Sequence, residues 1–211
     1  MVDIRIMASP KRAEHVKEML RELKLPETSV TWDDRPNGGD AMYTAKKAWL
    51  HPIPSDVKHR LILQDDIEMC DNFIETVNII ADVHPDCVLS LFSLSAPNYS
   101  PYRKESPYHQ IDTLNGCAIM MPTDIIESCM KWCDESADEV LKLQDDLMIT
   151  EYCKAHKIMM LTTFPNTVQH IGNESLLNKD RFWECKSMYY DKKGIADWYN
   201  DRIIRNYRLV Y

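Results

Sequence analysis

Short apolar runs alternate with amphipathic segments through residues 2–94, and this alternation limits the fold more than any other feature of the sequence. Prolines and polar residues separate the segments. Strands that alternate with helices are typical of a parallel sheet whose two faces are both covered. The pattern therefore predicts an α/β fold, namely a three-layer α/β/α sandwich around a mostly parallel, mixed central sheet.

The period of the apolar positions and the residues that begin and end helices give the element bounds. Ser9-Pro10 is typical of a helix start, because serine caps free N–H groups and proline suits the first turn. The predicted strands lie at 2–8, 29–33, 60–64, 87–94, 111–122 and 158–164, and the predicted helices at 10–24, 41–50, 72–83, 123–134 and 143–157. We expect 1–211 to form one domain, either whole or the amino-terminal part of a longer protein, with 178–211 as a helical, aromatic extension.

The net charge limits the class of partner, and the cysteines and hydropathy indicate the compartment. The formal net charge is −8, whereas a nucleic-acid binder needs a basic excess to replace counterions, so we expect no nucleic-acid partner. The seven cysteines form no CxxC pair, as expected for reduced thiols in the cytoplasm. No apolar run approaches the roughly 18 residues of a membrane span, and the first residues contain no signal-peptide core. A cytoplasmic protein without a membrane span is therefore predicted.

The segment HRLILQDDIE, residues 59–68, combines a buried-type strand with a cluster of acids. Asp65 and Asp66 follow the apolar run directly, and ligands of parallel α/β sheets bind beyond the carboxyl ends of strands. Adjacent carboxylates raise each other's pKa unless a cation neutralises them, and a hard divalent ion that carries a phosphate supplies this charge. The alternative is that one aspartate caps the following helix and the other is solvated.

Two further polar positions are candidates for the same chemistry. His170 and Gly172 are predicted to lie in a polar loop after the last strand, and imidazole among oxygen ligands suits Mn²⁺ as readily as Mg²⁺. A lone histidine is, however, more often structural. Asp145 and Asp146 begin a helix, where acids commonly complement the dipole. Their functional interpretation is a base, a nucleophile or a binder of an acceptor hydroxyl.

In their order along the chain, these motifs resemble the GT-A class of nucleotide-sugar glycosyltransferases. The shared order is a first strand ending in small residues, an Asn-Gly-Gly loop, a strand ending in an acidic pair, a Gly-Cys-Ala strand, a second acidic pair and a late His-x-Gly. LILQDDIE is similar to the LILEDD form of the DxD region, and the resemblance spans residues 2–175. More narrowly, the chain looks like the amino-terminal domain of chlorovirus-encoded glycosyltransferases implicated in decorating the viral capsid, which would place it in the host cytoplasm.

The resemblance implies a metal-dependent enzyme that moves a sugar from a UDP-sugar, such as UDP-glucose, to a glycan or glycoprotein acceptor. Mn²⁺ or Mg²⁺ would be the cofactor, held by Asp66 and His170, with Glu68 as a further metal candidate. Because Gln64 stands where a strict DxD motif has an acid, the assignment stays open between Gln64-Asp65-Asp66 and Asp66-Ile67-Glu68. Asp145 and Asp146 would lie beside the reacting sugar. The residues expected against the donor nucleotide are Ser9, Arg12, Asn37, Gly38, Gly39, Asp40, Gln64 and Asp65.

Other classes use similar acids in other places. A sugar nucleotidyltransferase shares the metal and the diphosphate, but it usually has a glycine-rich signature with Arg and Lys after the first strand. The segment ASPKR matches that signature only faintly. Dehalogenase-type phosphatases and phosphorelay receivers place their acid pair after the first strand, which here ends in MASPKR. In a non-catalytic binding module with this fold, both acidic pairs would be surface and cap residues only.

Overall fold

The computed structural model describes residues 1–35, 41–93, 108–136 and 144–172, together with Ser187 and residues 190–193. Within these ranges, seven strands form a central sheet. Their order across the sheet is β2 (Val30–Trp32), β1 (Val2–Ala8), β3 (His59–Gln64), β7 (Ala118–Pro122), β5 (Val88–Ser90), β8 (Met160–Thr163) and β6 (Tyr108–Gln110). Five of them, β1, β2, β3, β5 and β8, run in one direction, while β6 and β7 run in the other. The mostly parallel, mixed sheet predicted from the sequence is therefore confirmed.

The element bounds follow the predicted alternation closely in the first half of the chain. The strands of the central sheet are β1 (Val2–Ala8), β2 (Val30–Trp32), β3 (His59–Gln64), β5 (Val88–Ser90), β6 (Tyr108–Gln110), β7 (Ala118–Pro122) and β8 (Met160–Thr163). The helices are α1 (Ala13–Leu23), α2 (Ala41–Trp49), α3 (Phe73–Val83), α4 (Thr123–Glu135) and α5 (Asp145–His156). A 3-10 turn, Pro10–Arg12, precedes α1, with Ser9 as its cap.

Two hydrophobic cores cover the two faces of the sheet. The first packs α1 and α3 against one face, with Val16 and Val77 fully buried there. The second packs α2, α4 and α5 against the other face, around Trp49 and Ile149. Alternate residues of β3 supply both cores, because successive side chains of a strand point to opposite faces. The molecule is therefore a three-layer α/β/α sandwich. None of the helices in the described ranges is long and apolar enough to cross a membrane.

A second, two-stranded sheet lies beside the end of β3 and was not predicted. It pairs β4 (Ile67–Met69) with β9 (Val168–His170) in antiparallel register. We call this pair the ribbon. The prediction that His170 lies in a loop is wrong, because His170 is the last residue of β9 and pairs with Ile67.

Other differences concern strand lengths. Among the described residues of the predicted strand at 111–122, only Ala118–Pro122 forms a strand, which is β7. Among those of the predicted strand at 87–94, only Val88–Ser90 does. The helical extension predicted at 178–211 lies outside the described residues apart from Ser187 and 190–193.

Candidate functional site

The candidate site is built at the edge of the sheet where β1 and β3 both end. These strands are parallel neighbours, with Met7 opposite Gln64, so the residues that follow them meet. Ser9 and Arg12 come from the turn after β1, and Asp65 and Asp66 come from the bend after β3. The antiparallel β7 begins at the same edge, because Leu63 lies opposite Ala118. Four separate segments of sequence therefore converge here, namely the turn after β1, the bend after β3, the start of β7 and the end of the ribbon.

Asp65 is held by hydrogen bonds on both of its carboxylate oxygens. The backbone N–H of Ser9 donates to Oδ2 at 2.6 Å, and Nη1 of Arg12 donates to Oδ1 at 2.8 Å. The carboxylate thus fastens the turn after β1 to the end of β3. Each oxygen accepts one hydrogen bond, so Asp65 has a structural role at this edge.

Asp66 pairs with a histidine 104 positions away in the sequence. Its Oδ2 lies 3.2 Å from Nε2 of His170 and 2.9 Å from Nη1 of Arg12. Backbone pairing fixes this approach, because the N–H of Ile171 donates to the carbonyl of Asp66 at 2.8 Å. Among the described residues, neither Oδ1 of Asp66 nor Nδ1 of His170 has a hydrogen-bond partner, although both atoms are buried. Asp66 therefore retains a spare oxygen, whereas Asp65 does not.

The two neighbouring carboxyls differ in their electrostatics. Burial raises the pKa of Asp65, and the hydrogen bonds from Ser9 and Arg12 only partly oppose it. Burial also acts to raise the pKa of Asp66, but the hydrogen bond from His170 and the charge of Arg12 outweigh it and lower that pKa. Asp66 is therefore the acid of the pair that most readily stays ionised, as a metal ligand must be.

Gly172 leaves room for this pair. A Cβ placed on Gly172 would lie 2.9 Å from Oδ2 of Asp66, which is closer than real Cβ atoms come, and at a tight 3.2 Å from Cε1 of His170. In the sequence, Gly172 is the glycine of the late His-x-Gly motif.

Asp146 reaches the same edge through Gly116. The carboxylate of Asp146 accepts a hydrogen bond from the N–H of Gly116 at 3.1 Å and another from the N–H of Leu147 at 2.8 Å. A Cβ on Gly116 would lie 3.0 Å from Nε2 of Gln64, so the Gln64 side chain also lies against this glycine. Burial raises the pKa of Asp146, with the two backbone hydrogen bonds opposing it. Gln64 and Asp146 therefore both lie against Gly116, the glycine of the Gly-Cys-Ala motif, and this contact was not predicted from the sequence.

Two of the predicted site residues, Asp145 and Glu68, have other positions. Asp145 is buried and acts electrostatically on Cys133 of α4, so it faces the second core. Glu68 is exposed and lies opposite Gln169, whereas His170 lies opposite Ile67. Directly paired residues share one face of a sheet and successive residues alternate, so Glu68 and His170 are on opposite faces of the ribbon. Asn37, Gly38, Gly39 and Asp40 lie outside the described residues.

The pair of Asp66 and His170 fits a divalent ion that a ligand helps to coordinate. Two adjacent ligands of an octahedral Mg²⁺ ion, each about 2.1 Å from the metal, lie roughly 3 Å apart. The 3.2 Å between Oδ2 and Nε2 is close to this spacing, and the spare oxygen of Asp66 offers a further donor atom. In the part of the chain that the structure describes, no group of three or more His, Cys, Asp or Glu side chains could hold a metal ion. Substrate phosphates and water would therefore have to supply most of the ligands, as is usual for Mg²⁺.

Comparison with known proteins supports the fold only. No protein-family model matches the chain, and none of the curated proteins matches its sequence. Among solved structures, the chain is similar to the crystal structure of A197 from STIV, with a TM-score of 0.52 and 12% sequence identity. The match covers 90% of this chain and 96% of that chain. The three-layer α/β/α architecture is thus shared over nearly the whole length of both.

Proposed function

We propose that the chain is a metal-dependent glycosyltransferase of the GT-A class, which moves a sugar from a nucleotide-diphosphate donor to a glycan or glycoprotein acceptor. The observation that carries the proposal is the pair of Asp66 and His170, which meets at the carboxyl edge of a mixed α/β sheet with a buried spare oxygen. Ligands of open α/β sheets bind at this edge. The sequence resemblance supplies the chemical class. It also indicates that the donor is a UDP-sugar such as UDP-glucose.

Asp66 and His170 would hold the divalent ion, for which Mn²⁺ suits the mixed oxygen and nitrogen donors as well as Mg²⁺ does. When bound, the ion would stabilise the negative charge that develops on the departing diphosphate. Asp65 keeps the turn after β1 against the end of β3, so that Ser9 and Arg12 face the donor. The chain's own residues thus fix the geometry of the leaving group.

Asp146 has the properties required beside the sugar. Sugar transfer passes through an oxocarbenium-like transition state, which a nearby carboxylate stabilises. Asp146 is held by two backbone N–H groups at an edge shared with Gln64, and burial raises its pKa. Those features suit either a base for the acceptor hydroxyl or a carboxylate against the sugar. Asp145 faces the second core and supports the start of α5.

The first experiment is calorimetric titration of UDP and UDP-glucose into the protein, with and without Mn²⁺. We expect nucleotide binding that requires the ion and weakens at least tenfold in Asp66→Asn and in His170→Gln. Asp71→Asn is a matched control, because it removes the same charge from an exposed side chain five positions further along. Asp146→Asn should keep UDP binding but lose sugar transfer, measured as release of UDP from the donor.

The outcomes separate the proposal from its rivals. A folded protein that binds no UDP with Mn²⁺ present would favour a non-catalytic module with this fold. Nucleotide binding that survives in both metal-ligand variants would remove the Asp66 and His170 pair from the model. Formation of a nucleotide sugar from a sugar phosphate and UTP, without transfer, would favour a nucleotidyltransferase.

A further inference from the structure

We propose that Arg12 and a divalent cation compete for Asp66, so that Arg12 is the cation of this site until a metal ion binds. The inference rests on the proposed function in one respect, since it takes Asp66 and His170 as the residues that hold the ion. It goes beyond that function by assigning Arg12 control over how tightly the ion is held.

The competition follows from which oxygen each group uses. Nη1 of Arg12 lies 2.9 Å from Oδ2 of Asp66, and Nε2 of His170 lies 3.2 Å from the same oxygen. A metal ion shared by Asp66 and His170 would bind to the oxygen with which the guanidinium now forms an ion pair. The Arg12 and Asp66 side chains are only 21% and 12% exposed, so bulk water screens the contact little.

Arg12 has a second carboxylate on which it can remain. The same Nη1 donates to Oδ1 of Asp65 at 2.8 Å, and the other oxygen of Asp65 is held by the N–H of Ser9 at 2.6 Å. Metal binding therefore requires that the ion replace both the Arg12 contact and the His170 hydrogen bond at Oδ2 of Asp66, while Asp65 still holds Arg12. The exchange is a change of partner within one cluster and needs no movement of the sheet.

The arrangement couples the ion to the donor. Without a ligand, a guanidinium and a divalent ion repel each other across one aspartate. A bound diphosphate adds negative charge that both cations can share, which lowers this repulsion. Metal and nucleotide should consequently bind more tightly together than separately, and by reciprocity each strengthens the other to the same extent.

The test measures the dissociation constant of Mn²⁺ from the electron paramagnetic resonance signal of the free ion. We expect Arg12→Gln to bind Mn²⁺ at least tenfold more tightly than the unmodified protein, because the substitution removes the positive charge that pairs with Oδ2 of Asp66. Lys11→Gln is the matched control, since it removes the same charge from the adjacent, exposed residue. The gain should disappear when Asp66→Asn is combined with Arg12→Gln.

A second measurement covers the case in which Arg12→Gln does not fold. Mg²⁺ is titrated into the unmodified protein while the ¹⁵N resonances of the arginine guanidinium groups are recorded. The Arg12 signals should shift with the same dissociation constant as Mg²⁺ binding. Arg12 resonances that do not move at saturating Mg²⁺ would overturn the inference.

The remaining outcomes keep this inference distinct from the proposed function. An equal Mn²⁺ affinity in Arg12→Gln and Lys11→Gln would overturn the competition, even if UDP binds with the ion. The absence of Mn²⁺ binding in every variant would overturn it as well. Tighter Mn²⁺ binding in Arg12→Gln without any UDP binding would support the competition and contradict the glycosyltransferase.

Discussion

Arg60 is a fully buried charge, and its hydrogen bonds show how a single side chain joins two elements. Its Nε donates to Asp3 at 2.6 Å, and its Nη1 donates to the carbonyls of Trp49 at 2.7 Å and His51 at 2.6 Å. The carbonyls at the carboxyl end of a helix have no partner within the helix. Arg60 therefore satisfies the carbonyls at the end of α2 from the middle of the sheet, and it holds that end of the helix against β3.

Replacement of Arg60 by methionine should destabilise the fold by about 3–5 kcal/mol, because it leaves buried carbonyls and Asp3 without their partner. Urea unfolding measures the change. Lys58→Met, at an exposed position in the same segment, should shift the free energy of unfolding by less than about 0.5 kcal/mol. A loss below about 1 kcal/mol in Arg60→Met would show that water replaces the guanidinium at these carbonyls.

His84 should make stability depend on pH. Burial lowers its pKa from 6.5 to about 4, so the fold favours the neutral ring. The unfolded chain binds the proton more readily. The stability that the neutral ring contributes is therefore fully present above about pH 6.5 and is lost as the pH falls towards 4. The linked loss is about 2–3 kcal/mol. Urea midpoints between pH 4 and 7 should fall less steeply in His84→Gln than in the unmodified protein.

At the scale of elements, prediction from sequence worked where local signals were strong. The first strand was placed at residues 2–8 and is Val2–Ala8, and Ser9 caps the turn that starts the first helical segment. The ribbon was not predicted because each of its strands has three residues. Such a strand is too short for the alternation of apolar and polar residues to be recognised in the sequence. The reversed direction of β7 was missed because strand direction depends on partners distant in the sequence. The loop predicted for His170 is therefore wrong, because the residue ends β9, and its role as a metal ligand stays a prediction.

The ribbon also predicts which acid after β3 binds a metal. Asp66 contacts His170, whereas the strand pairing places Glu68 on the opposite face. Glu68→Gln should leave the dissociation constant of Mn²⁺ unchanged within about twofold, while Asp66→Asn, with the same change of charge, should weaken it at least tenfold. Titration of both variants under one condition makes the comparison. An equal loss in the two would mean that Glu68 is a ligand and that the ribbon rearranges on binding.

At the scale of the whole molecule, a segment near the carboxyl end holds the ribbon in place. The backbone N–H of Ser187 donates to Oε1 of Gln169 at 2.7 Å, and Nε2 of Gln169 donates to the Ser187 carbonyl at 2.9 Å. Tyr190 and Lys192 both donate to the carbonyl of Met69, each at 2.9 Å. These three residues thus contact both strands of the ribbon, and Ser187 holds Gln169, the residue directly before His170.

Gln169→Ala removes two of these hydrogen bonds and should cost about 1–2 kcal/mol of stability. It should also weaken Mn²⁺ binding severalfold, because His170 follows directly in β9. Thermal unfolding and Mn²⁺ titration measure the two effects. Gln110→Ala, on the exposed side of β6, is the control and should change neither. A stability loss without any change in metal affinity would separate the carboxyl-terminal contacts from the site.

The separation of Asp66 and His170 by 104 positions has a consequence for the order in which the protein matures. During synthesis the amino-terminal segments emerge first, so Asp65 and Asp66 can meet Ser9 and Arg12 while β9 is still untranslated. In that interval Arg12 is the cation within reach, and it balances the acids at the edge of the growing sheet. Arg12 would thus balance the charge of Asp65 and Asp66 before His170, the last residue of β9, has left the ribosome.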